Sequence, residues 1–153
     1  MIKHIWSVLC QKSSVDQLSN NISLFDVFEA LEVDIKSASN VKPTTDSSYN
    51  VPVQYQVVTL LSKDTADSKD TQYSIRITLV NPEEKEKILV DQNLTFLANK
   101  KRMRSINQIQ GLPVNKSGDY HFIVELKHEE KFQKVADLPL EVKLNINTSP
   151  KQA

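Results

Sequence analysis

The chain of 153 residues is poor in the features that most small functional sites are built from. Its single cysteine, Cys10, permits no internal disulfide and offers a metal no second thiolate, which fits a reducing compartment. With only two glycines it lacks the successive glycine amides that cradle phosphate, so Gly-rich nucleotide sites are excluded. There is no excess of one charge, since 19 Lys and Arg balance 19 Asp and Glu. That balance argues against nucleic acid, whose binding requires several phosphates to be neutralised together. No apolar run approaches the roughly 18 residues of a membrane helix. The apolar stretch from Ile5 to Cys10 is shorter than the roughly 7 to 15 residues of a signal-peptide core. Together these absences lead to the expectation of a soluble, cytoplasmic protein with no membrane partner.

What the chain does have is alternation. Tyr73, Ile75, Ile77 and Leu79 alternate with Ser74, Arg76 and Thr78, the period-two pattern of a strand with one face buried. The same pattern runs through Ile88, Val90, Leu94 and Phe96, through Tyr120, Phe122, Val124 and Leu126, and through Leu140, Val142, Leu144 and Ile146. Polar, turn-forming stretches separate these runs at Asn20–Asn21, Val41–Asn50, Ser62–Thr71, Asn81–Lys87, Asn115–Gly118 and His128–Lys131. The expected fold is all-β: an antiparallel β-sandwich of about eight strands with immunoglobulin-like or related Greek-key topology. A single domain is expected over residues 1–147, followed by a short flexible tail at 148–153.

Three segments are less regular. From Ile2 to Lys12 apolar residues fall on both parities, which suggests an inner strand covered on both faces, with Cys10 as a small buried hydrophobe. From Ser23 to Lys36 the pattern fits either a helical face or a strand interrupted at Glu29; a strand bent or bulged near Glu29 is favoured. From Arg102 to Leu112, Ile106, Ile109 and Leu112 lie three apart, equally consistent with a bulge and with a short helical turn. Gly118 is expected to supply a positive φ to a tight turn, and Pro139 to begin the last strand.

The C-terminal third carries an ordered series: Gly111-Leu112-Pro113-Val114, then Gly118-Asp119-Tyr120-His121-Phe122, then Pro139-Leu140-Glu141-Val142. This series resembles the ending of an uncharacterised bacterial family of small β-sandwich proteins, a domain of unknown function. Trp6 to Cys10, Asn21 and Ser23-Leu24-Phe25 are similar to its beginning. The resemblance implies a sandwich fold and a bacterial origin, and it implies no catalytic residue.

Few residues suggest chemistry. His4, His121 and His128 lack the close paired spacing of a zinc site. His121 and Glu125 share one strand face but lie about 13 Å apart along it, too far for one ion. Asp64, Asp67 and Asp70 share a loop without EF-hand spacing, so a hydrated connection is expected rather than a calcium site. Lys100, Lys101, Arg102 and Arg104 form the dense cationic cluster and the candidate interaction surface, although charge guarding an edge against aggregation explains it as well. No catalytic, metal or cofactor site is expected, and hence no cofactor and no enzyme. The expected function is a non-enzymatic interaction or assembly module whose partner is another protein or a second copy of itself. A small-ligand or glycan-binding module is the alternative, and an enzyme with a spatially assembled site the next.

Overall fold

A computed structural model describes residues 1–36, 48–64 and 69–147. Nine strands occur in order: β1 Ile2–Val15, β2 Ile22–Val27, β3 Ala30–Lys36, β4 Tyr49–Lys63, β5 Thr71–Val80, β6 Glu86–Phe96, β7 Arg102–Val114, β8 Gly118–His128 and β9 Lys131–Asn147. Among the described residues there is no helix. The strands form a four-stranded sheet in the order β2-β1-β4-β7 and a five-stranded sheet in the order β3-β9-β8-β5-β6. Pairing is antiparallel except between β3 and β9, which run parallel. The tail from Thr148 onward, residues 41–47 of the polar stretch before β4, and Asp67 lie outside the described residues.

The alternating runs build the core between the two sheets. Tyr73, Ile75, Ile77 and Leu79 of β5 and Tyr120, Phe122, Val124 and Leu126 of β8 are all buried. Tyr55 of β4 meets Phe122 of β8 edge to face across the gap, with ring centres 5.7 Å apart at 72°. That is the geometry in which one ring's positive edge faces the other's negative face. Burying such a ring contributes about 1.5–3 kcal/mol, so the intersheet apolar layer is the main source of stability.

Bulges explain where the simple alternation fails. Between β5 and β6 the register shifts at Ile77/Thr78, so Ile88 pairs with Thr78 and faces outward, 54% exposed, instead of joining the core. Ile146 is likewise exposed at the end of β9. Between β4 and β7 the register shifts at Val51/Gln54, so that Pro52 and Val53 lie opposite Gly111 alone. This shift carries Ile109 and Leu112, three residues apart, onto the same buried face. The bulge alternative for Arg102–Leu112 is therefore the one realised, and Ile106 points outward at 42% exposure.

The segment from Ser23 to Lys36 is extended, as favoured, but it is two strands rather than one. Asp26 has φ +51°, and after Val27 the chain leaves the four-stranded sheet and enters the five-stranded one as β3. Phe28 marks the crossing, its amide donating to the Leu9 carbonyl at 2.9 Å. This division raises the strand count from about eight to nine. Gly118 has the expected positive φ, +147°, and a Cβ there would stand 2.8 Å from Pro82. Pro139 does not begin β9, which starts at Lys131. The Glu141 amide donates to Glu29, just before β3, so the same-facing position at Pro139 lies beyond the end of that neighbour. Its missing amide therefore costs no ladder bond.

Candidate interaction surface

The cationic cluster is divided by the fold. Lys100 and Lys101 are exposed in the connection between β6 and β7, where Asn99 turns the chain at φ +67°. Arg102 is exposed at the start of β7. Arg104 is committed to structure: its Nη2 donates to both the backbone and the side-chain oxygen of Asn20, each at 2.8 Å. Lys63, not among the residues singled out from the sequence, joins this end of the sandwich. It is 4% exposed, its Nζ lying 4.7 Å from the Phe96 ring centre and donating to the Leu97 carbonyl at 3.3 Å. A strand-end lysine in core phase was the available signal.

Of the acidic loop, Asp64 pairs with Lys3 at 2.9 Å and Asp70 accepts the Ala98 amide at 2.7 Å. Both described carboxylates are thus used in tying the end of the sandwich together. No group of three or more metal-ligating side chains converges among the described residues.

His121 and Glu125 both lie on the outward face of β8, and the structure gives His121 a different partner. His121 Nδ1 lies 2.7 Å from Asp137, which also receives Lys134 at 3.3 Å. Desolvation pushes the Asp137 carboxyl up, but the hydrogen bonds and charges of His121 and Lys134 together outweigh it and leave it lowered. Arg76 is paired to Asp91 at 3.0 Å and stacks on Phe132 at 3.9 Å. This face is a ladder of matched cross-strand pairs.

A polar row inside the sandwich was not legible in the sequence. His4 Nε2 and Ser7 Oγ lie 2.8 Å apart, and Ser7 Oγ lies 2.8 Å from Thr59 Oγ1. Burial lowers the His4 pKa. Ser105 pairs with Thr59 in register and accepts from Asn107 at 3.0 Å, continuing the row onto β7. No carboxylate is bonded to His4 among the described residues. The row therefore lacks the orienting acid that a Ser-His nucleophile uses.

Val58 and Cys10 are fully buried although they alternate with core residues Val57 and Leu9 and so point out of the sandwich. The distal half of β1 and β2 form a hairpin arm that accounts for this cover. Ser13 on the arm donates to Gln56 of β4 at 2.6 Å, and the arm's turn at Asn20 is held by Arg104 of β7. Burial pushes the Cys10 thiol up, as expected of a structural rather than reactive cysteine.

The sheet edges remain. β2 is six residues long and kinked by the positive φ of Asp26. β3 carries Glu32 and Asp34, both bound by Asn145, and β6 carries Glu86, Lys87 and Asp91. These are the usual guards against edge-to-edge association. β7 has no charge from Ser105 to Val114, ten consecutive residues, although Pro113 and the irregularity at Gly111 interrupt its far end.

Residues 44–143 match the model of the family of unknown function DUF6941. The chain belongs to this family. The DUF6941 match includes the Gly111, Gly118 and Pro139 series and leaves β1, β2 and β3 outside it. No curated protein matches the chain.

Proposed function

We propose that this DUF6941 chain is a non-enzymatic interaction or assembly module that binds through the edge of its four-stranded sheet. The observation that carries this reading is the contrast among the four sheet edges. β2 is short and kinked, and β3 and β6 carry charges within the strand, whereas the charges of β7 stand at its start, Arg102 and Arg104, and are followed by an uncharged run that contains the exposed Ile106. An edge strand adds a partner strand through backbone hydrogen bonds, with specificity from alternate side chains.

The proposal includes an immunoglobulin-like topology. Its support is the parallel pairing of β3 with β9 and the Tyr120 corner, in which a tyrosine near the start of β8 bonds back to the Lys116 carbonyl at 2.8 Å. A bacterial, cytoplasmic setting accords with the C-terminal resemblance and the lone buried cysteine. A glycan-binding reading is weaker, because Phe132, the aromatic on the polar strand face, is already covered by Arg76.

The test combines light scattering on the purified chain with affinity capture, each captured protein being purified and rebound directly. Self-association or direct rebinding supports the module. A strict monomer that rebinds nothing overturns it.

A further inference from the structure

The nine residues from Arg102 to Gln110 carry the same polar and apolar pattern in both directions about Ile106, although no flanking pair is identical. Outward from the centre stand Ser105 and Asn107, then Arg104 and Gln108, then Met103 and Ile109, then Arg102 and Gln110. Each pair matches in kind: polar with polar, apolar with apolar. A twofold antiparallel pairing sets each residue against its mirror position, so with this pattern apolar side chains meet apolar ones and polar side chains meet polar ones. The stretch is regular, since its register with β4 runs unbroken from Arg102 to Gln110. On its other side β7 is the end of its sheet.

We infer that β7 is the docking edge for a second copy of this chain, pairing antiparallel with the partner's β7 about a twofold axis at Ile106. The inference rests on the interaction reading above and names its partner. In this register Ile106 meets its own copy on the outer face, covering the apolar side chain that is 42% exposed in the single chain. On the inner face Ser105 stands opposite the partner's Asn107, repeating between chains the hydrogen bond these residues make within one chain at 3.0 Å. Met103 stands opposite the partner's Ile109, which extends the apolar layer across the axis.

Charge selects the direction. A parallel pairing in register sets Arg102 against Arg102 and Arg104 against Arg104, and like charges directly opposite destabilise a sheet. The antiparallel arrangement sets each arginine against a glutamine and moves Lys100 and Lys101 of the two copies to opposite ends of the new contact. The two four-stranded sheets then join as one of eight strands, and the open edge of β7 is closed.

The experiment uses the full chain in light scattering from about 1 µM to about 1 mM, a range that covers weak to moderate association. The wild type is expected to approach twice its 17.4 kDa mass with rising concentration, and Ile106→Lys, which sets two ammonium groups together on the axis, to remain at 17.4 kDa. Circular dichroism checks that the variant keeps its strands. Ile106→Cys supplies an independent readout. Cα atoms opposite each other in an antiparallel pair are about 4.5–5.5 Å apart, within disulfide reach, so mild oxidation is expected to give a covalent dimer. Gln110→Cys, opposite Arg102 instead of itself, is expected not to.

A wild type that stays monomeric over this range, a dimer that Ile106→Lys leaves intact, or equal crosslinking of the two cysteine variants overturns the inference. If the monomeric chain instead directly rebinds another purified protein, self-pairing fails while the module reading stands. If it binds nothing, both fail.

Discussion

Arg104 and Asn20, 84 residues apart in sequence, are joined by two hydrogen bonds of 2.8 Å from one guanidinium nitrogen. The contact fastens the turn of the hairpin arm to the far strand of the same sheet. Asn20 can sit there because it holds φ +59°, a conformation that asparagine tolerates better than most residues. The arm in turn roofs Val58 and Cys10, whose outward direction would otherwise leave apolar surface in water.

Releasing that contact is therefore expected to uncover the thiol. Arg104→Ala should cost about 1–2 kcal/mol, the scale of a hydrogen bond to a charged group at a partly exposed site. It should also raise the rate at which a water-soluble thiol reagent modifies Cys10, measured under native conditions. Asn20→Gly keeps the positive φ and the backbone acceptor, so it should cost less. A Cys10 rate unchanged by Arg104→Ala would show that the arm is held by other contacts.

Tyr120 ties β8 to the connection before it. Its hydroxyl accepts from the Asn115 amide at 3.0 Å and the Lys116 amide at 3.3 Å, and stands 2.8 Å from both the Asn115 side-chain oxygen and the Lys116 carbonyl. Burial pushes the phenol up. Tyr120→Phe keeps the buried ring and strips these amides of their acceptor, so a loss of about 1–3 kcal/mol is expected in urea unfolding. A loss below about 0.5 kcal/mol would mean that water replaces the hydroxyl without penalty.

Strand identity and the intersheet core were legible in the sequence because a half-buried strand writes its burial into every second residue. Tyr73, Ile75, Ile77 and Leu79, and Tyr120, Phe122, Val124 and Leu126, could be assigned to one face on that ground alone. Ile88 could not. Its parity was right, but the bulge opposite Ile77/Thr78 reversed its direction, and a bulge leaves little trace in composition. The cationic cluster was visible as charge, yet whether Arg104 was free or fastened to Asn20 depended on a contact 84 residues away. The symmetric polar and apolar pattern of β7 was present in the sequence and gained meaning once β7 proved to be the end of a sheet.

The carboxyl of Asp137 makes an acid-side prediction. Its pKa is lowered in the folded chain, so its pairing with His121 and Lys134 contributes stability above the ordinary carboxylate range. That contribution is lost as pH falls through the lowered folded value. Asp137→Asn should therefore be less stable than wild type near neutrality, by no more than about 1 kcal/mol because the groups are solvent-exposed. The two proteins should converge in acid, followed by thermal unfolding from pH 7 downward. A constant difference at all pH values would assign the effect to packing rather than charge.

Gly111 is the position where backbone conformation and packing can be separated by experiment. Its φ is +87°, and a Cβ built there would stand 2.6 Å from the Asn50 Oδ1. Two costs thus act on Gly111→Ala: the strain of an L side chain in the left-handed region, and a collision with a side chain held over the bulge. Together they should destabilise the chain by about 1–3 kcal/mol. Adding Asn50→Ala removes the collision and leaves the strain, so the double variant should recover part of the loss and no more. Full recovery would mean that contact alone reserves this site for glycine, and no recovery would mean that conformation does. Because the Gly111 carbonyl accepts the Tyr55 hydroxyl at 3.1 Å, a bulge that shifts should also weaken the buried anchor of Tyr55 against Phe122. The near-ultraviolet circular dichroism of Gly111→Ala is expected to report that loosening even where the strands survive.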